Sequence, residues 1–65
     1  MRNIHGLTVT ERITKDIEFA EREQNADQRK MLAHMAIAAA ELAIDFNIIT
    51  YKEWGELTRR AFAII

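Results

Sequence analysis

The sequence contains no cysteine, no proline, no serine and only two glycines. Without cysteine the chain forms no disulfide, and nothing favours an oxidising compartment. The missing serine and cysteine exclude nucleophilic sites built on those residues, and two isolated glycines do not form a phosphate-binding loop. We therefore expect a non-enzymatic protein that requires no cofactor.

Long uncharged apolar runs are also absent. The most apolar stretch, residues 31–46, is interrupted by His34, Glu41 and Asp45, whereas a membrane span needs about twenty nearly uncharged residues. Residues 1–13 lack the apolar core of a signal peptide. The net charge of −1 gives no basic excess for neutralising phosphates. These features predict a cytoplasmic protein without a membrane partner, and we do not expect nucleic acid as its main ligand.

What the chain does have is apolar, helix-compatible sequence. It has 65 residues, of which 49% are apolar, and so small a domain buries only about 60% of the surface that its unfolded chain exposes. Helix packing and self-association are the remaining routes to stability. We expect a single all-α domain over 1–65, a three-helix bundle or helical hairpin around a buried central helix, which dimerises into a larger bundle. The expected helices are 9–23, 26–46 and 51–64.

Capping residues indicate where these helices begin. Thr8 and Glu11 have the spacing of a capping box, with Thr10 as a competing N-cap. A similar pattern beginning at Asn25 predicts a turn, although an uninterrupted helix over 9–46 is the alternative. The segment before Thr8 is expected to be an irregular lead-in.

The break before the third helix has the clearest local pattern. Asn47 suits the left-handed position that ends a helix. Thr50 and Glu53 have capping-box spacing, and Ile49 and Trp54 occupy the positions of a hydrophobic staple. Together these residues predict a sharp stop followed by a fixed entry into the third helix.

The second helix carries two apolar seams at helical spacing. The heptad seam consists of Leu32, Met35, Ala39, Leu42 and Phe46. The alanine seam consists of Ala33, Ala36, Ala40 and Ala43, bordered by Ile37 and Ile44. Small side chains allow another helix to approach closely, so the alanine seam either packs against the chain's own first or third helix or contacts another molecule.

The expected interface combines the alanine seam and its bordering isoleucines with Phe19 and with apolar residues near the end of the third helix, which this chain or a partner is expected to bury. These candidate interface residues are Phe19, Ala33, Ala36, Ile37, Ala40, Ala43, Ile44, Phe62 and Ile65. Phe19 lies off the apolar stripe of the first helix, so either the N-terminal segment or another chain is expected to cover it.

This surplus of apolar helix surface leads to the functional hypothesis. We expect a small regulator or inhibitor, of the kind that phages and mobile elements encode, which binds an unidentified protein partner and also forms a homodimer. One alternative is a structural subunit of a larger assembly. The other is a nucleic-acid-associated regulator, since the second and third helices are joined by a short turn, but Lys52, Glu53 and Glu56 make a mixed-charge helix start.

The polar line of the second helix does not predict a metal site. His34 and Glu41 lie two turns apart, about 10 Å along a helix axis, which is too far for one ion. Glu41 and Asp45 are one turn apart, but two carboxylates are weak support for a metal. We expect a solvated polar line.

Overall fold

The computed structural model describes residues 8–65, and this part of the chain is helical without strands. Its three helices are α1 (Val9–Arg22), α2 (Ala26–Asp45) and α3 (Tyr51–Phe62). All three pack against one another, so the prediction of an all-α chain of three packed helices is confirmed for the described residues. The expected lead-in over 1–7 lies outside them.

Two reciprocal capping boxes start α1 and α3. The backbone N–H of Glu11 donates to Thr8 Oγ1 at 3.1 Å, and the Thr8 N–H donates to Glu11 Oε1 at 2.9 Å. Thr8, and not the competing Thr10, is therefore the N-cap of α1. In α3, Thr50 and Glu53 exchange the same pair of bonds at 3.1 and 2.8 Å. The threonine–glutamate spacing thus fixes both helix starts.

A turn at Asn25 separates α1 from α2, which rules out the uninterrupted helix for this structure. Asn25 Oδ1 accepts a hydrogen bond from the Gln28 N–H at 3.0 Å. Arg29 Nη1 donates to the Glu23 carbonyl oxygen at 3.0 Å, so the first turns of α2 also hold the end of α1. The short connection folds α2 back along α1.

The end of α2 is a Schellman motif, as the Asn47 pattern predicts. Asn47 has φ 58°, which places it in the left-handed region. The Ile48 N–H donates to the Ala43 carbonyl at 2.8 Å, and the Asn47 N–H donates to the Ile44 carbonyl at 3.0 Å. The chain reverses here with these backbone groups hydrogen-bonded.

The core lies where α1 and α3 pack onto the alanine seam of α2. The alanine seam is at most 4% exposed at every position, because side chains of one carbon allow neighbouring helices to approach closely. Apart from Ile37 of α2, the larger buried side chains come from the other elements. The buried apolar residues outside α2 are Ile13, Ile17, Ala20, Ile49, Leu57 and Ala61.

Polar contacts near both ends of α1 hold it against α3. Thr10 Oγ1 donates to Glu53 Oε2 at 3.2 Å, and Arg60 makes a two-pronged contact with Glu21 through Nε and Nη2, at 2.9 and 2.8 Å. The order of these pairs along the chain shows that α1 and α3 run parallel. The antiparallel α2 packs against both.

Because Ala40 is 1% exposed within its own chain, Ala40→Leu should overpack the core. We expect the variant to lose about 1–3 kcal/mol of unfolding free energy, measured by urea denaturation. Ala26→Leu is the matched control, since Ala26 is exposed on the same helix, and it should change stability by less than about 0.5 kcal/mol. Equal stability of the two variants would contradict the assigned packing.

Candidate interaction surface

The structure divides the nine candidate interface residues between core and surface. Ala33, Ala36, Ile37, Ala40 and Ala43 are buried within the chain, and Ile44 is partly buried against the same core. The remaining three are exposed: Phe19 (63%), Phe62 (58%) and Ile65 (45%). The alanine seam is thus occupied from within, and a second molecule cannot reach it while the three helices stay packed.

The expectation of a buried central helix holds for only one face of α2. α1 and α3 cover the alanine seam but leave the heptad seam largely open, with Met35 60%, Leu42 61% and Phe46 69% exposed. Met31, beside this seam, is 50% exposed. His34, Glu41 and Asp45 form an exposed polar line, as expected.

The open seam joins an apolar groove between α1 and α2. One part of the groove is lined by Val9, Ile13, Leu42, Phe46 and Ile48, among others. A neighbouring part is lined by Phe19, Leu32 and Met35, and both parts include Arg12 and Asp16. We call this surface the α1/α2 face and define its apolar residues by one list: Phe19, Leu32, Met35, Leu42, Phe46 and Ile48.

Local structure explains how two of these side chains reach the face. Ile48 follows the left-handed Asn47 in the Schellman motif, and this reversal brings it beside Ala43 and Phe46 in the groove. Phe19 lies off the buried stripe of α1 and lines the same part of the groove as Met35. The sequence pattern places Phe19 among the interface candidates but does not single out Ile48, whose position depends on the turn.

An ion pair lies at the junction of the two groove parts. Arg12 Nε is 3.5 Å from Asp16 Oδ1, one helical turn away, and the side chains are 58% and 47% exposed. An exposed pair of this kind contributes at most about 1 kcal/mol to stability. Its interest lies in its position, because it places one positive and one negative charge side by side within an apolar surface.

Three glutamates outside the face are held in their charged form. Hydrogen bonds from the Thr8 and Thr50 backbones lower the pKa of Glu11 and Glu53, and the Arg60 guanidinium lowers the pKa of Glu21. The same contact with Glu21 raises the pKa of Arg60. These charges stabilise the two helix starts and the α1–α3 contact.

Another concave region lies between α2 and α3. Glu41, Asp45, Tyr51 and Trp54 line it, and Tyr51 meets Trp54 edge to face with 6.4 Å between the ring centroids. Across residues 8–65, no three His, Asp or Glu side chains are grouped to hold a metal ion. None of the helices in that range combines the length and apolar character needed to cross a membrane.

Comparison of the chain with protein-family models, curated proteins and solved structures gave no match. Within residues 8–65, the α1/α2 face carries several exposed large apolar side chains and is the candidate binding surface.

Stability should fall on acidification because Glu11, Glu21 and Glu53 all have lowered pKa values when folded. A folded-state pKa below the unfolded value near 4.5 stabilises the fold above that pH. This contribution is lost as the pH falls through the lowered values. Urea-denaturation midpoints measured from about pH 7 down to about pH 3 should therefore decrease.

Glu53→Gln should flatten part of this decrease, since the amide retains an acceptor oxygen but does not titrate. Glu56→Gln, at an exposed position of the same helix outside the capping box, should flatten it less. A Glu53→Gln variant with the full wild-type pH dependence would contradict the role assigned to the capping carboxylate.

Proposed function

We propose that this chain is a small non-enzymatic protein-interaction module, a regulator or inhibitor that acts by binding protein through the α1/α2 face. The observation that supports this is the exposure of Phe19, Met35, Leu42 and Phe46, each at least 60% accessible, on one continuous surface. Scattered apolar side chains are normal on protein surfaces, but contiguous apolar patches mark interaction sites.

The size of the face supports protein as the ligand class. Five of its six apolar residues are 40–69% exposed, and together these five present on the order of 600 Å² of accessible surface. A standard protein–protein interface buries about 800 Å² on each partner. The groove is open along its length and lined by helices, a shape that suits another helix.

A structural subunit of a larger assembly is the second candidate. The observation that favours it is the spacing of the heptad seam, in which exposed Met35 and Leu42 stand seven residues apart with Ala39 between them. Seams of this spacing associate through repeated helix packing. An assembly subunit would use the same face for permanent contacts with copies of itself.

Leu42→Glu tests the role of the face with little disturbance of the fold. Leu42 is 61% exposed, so the substitution should change unfolding free energy by no more than about 0.5 kcal/mol. Binding of the protein partner should weaken at least about tenfold, because burying the Leu42 side chain contributes about 1.5–3 kcal/mol. Lys52→Glu, at an exposed position on α3, is the matched charged control and should bind as the wild type does.

The partner can be sought with a photoreactive amino acid at position 42 or, as control, at position 52. Irradiation in a lysate of the source cells should give a discrete product with a foreign protein from position 42 and none from position 52. The same product from both positions, or no product from position 42, would contradict binding through the α1/α2 face. If the only product from position 42 joined copies of this chain, with no foreign protein, the assembly subunit would be favoured over a regulator.

A further inference from the structure

We propose that the occupant of the α1/α2 face in the purified protein is a second copy of this chain, bound antiparallel across a two-fold axis close to Ala39. This inference rests on the proposed function in one respect, namely that the α1/α2 face is the binding surface. It adds the identity of a partner, the geometry of the contact and a way of controlling access to the face.

The heptad seam is nearly symmetric about its centre. Leu32 and Phe46 lie seven residues before and after Ala39, and Met35 and Leu42 lie four before and three after it. At 1.5 Å per residue, the outer pair is about 10 Å from the centre in each direction. An antiparallel copy therefore places Phe46 against Leu32 of the second chain and Leu42 against Met35 of the second chain.

The centre of the seam suits a close approach of two helices. Ala39 is partly buried and has a side chain of one carbon, and Ala38 beside it is exposed. Large side chains stand on both sides, with Met35 60% and Leu42 61% exposed. Small residues at the crossing point and large ones on either side allow the two surfaces to interlock.

Two charged side chains of α1 support the same position of the two-fold axis, and this argument does not depend on the seam. Arg12 and Asp16 line the groove together with Ala39, so they lie near the proposed axis. A two-fold axis is isologous, which means that a contact of Arg12 with Asp16 of the second chain occurs twice. A surface bearing one charge of each sign beside its centre is thus complementary to itself, whereas a surface of one sign would repel its copy.

Self-association controls access to the face. A target protein that uses Leu42 and Phe46 has to displace the second copy, because both occupants need the same side chains. The concentration of chains with an unoccupied α1/α2 face then depends on the dimer dissociation constant. In the dimer the face is occupied, so the dimer does not bind the target protein.

The test is charge complementation between two variants. Arg12→Asp gives a face with two carboxylates, and Asp16→Arg gives a face with two cations. Each variant alone places like charges across the axis, so its self-association should weaken about tenfold or more relative to wild type. An equimolar mixture restores opposite charges across the axis and should form a heterodimer, seen by sedimentation and by native mass spectrometry.

Two controls separate this contact from effects within one chain. The double variant Arg12→Asp with Asp16→Arg restores both the intrachain and the interchain pairing and should dimerise by itself. Lys52→Glu, outside the face, should dimerise as wild type does. Circular dichroism should show wild-type helix content in every variant, since the substituted side chains are exposed.

Other outcomes overturn the proposal in distinguishable ways. A wild-type chain that stays monomeric at about 100 μM, well above a micromolar dissociation constant, would show that a second copy does not occupy the face. A foreign product from position 42 would still support the proposed function in that case. A wild-type dimer whose two charge variants fail to combine would place the self-contact elsewhere.

Discussion

The close approach of α1 and α3 to the alanine seam of α2 is the constraint on which the structure depends. Side chains of one carbon along that seam bring the helix backbones near enough for Ile17 and Leu57 to fill the core. Both α1 and α3 therefore pack against the same face of α2. The heptad seam is consequently left largely uncovered by the described residues, and the exposed α1/α2 face is a direct consequence of how the core is packed.

Much of the fold could be predicted because its signals are local. The pairs Thr8–Glu11 and Thr50–Glu53 set helix starts through bonds between residues three apart, and Asn47 sets a helix end through its own backbone angle. One long helix does not form, because Asn25 caps the start of α2: its side-chain oxygen accepts a hydrogen bond from the Gln28 N–H. Such interactions depend on few residues and are readable from spacing.

The assignment of faces was less predictable because it depends on tertiary packing. Both seams of α2 have helical spacing, and spacing alone does not show which one α1 and α3 prefer. For the alanine seam, spacing allows both an intrachain and an intermolecular contact; Ala40 is buried within the chain, and Met35 lies on the open side. Arg12 lines the groove because α1 packs beside α2, and Ile48 lines it because of the turn after α2. Neither position follows from sequence spacing alone.

The most direct test of the account is an intermolecular nuclear Overhauser measurement on a one-to-one mixture of isotopically labelled and unlabelled chains. Met35 and Leu42 lie two turns apart on α2, about 10 Å along the axis, which is too far for strong transfer between their methyl groups within one chain. In the antiparallel dimer, an intermolecular contact is expected from the Met35 methyl group to the Leu42 methyl groups of the other chain. Absence of that contact, with both side chains remaining solvent-accessible at millimolar concentration, would contradict this dimer.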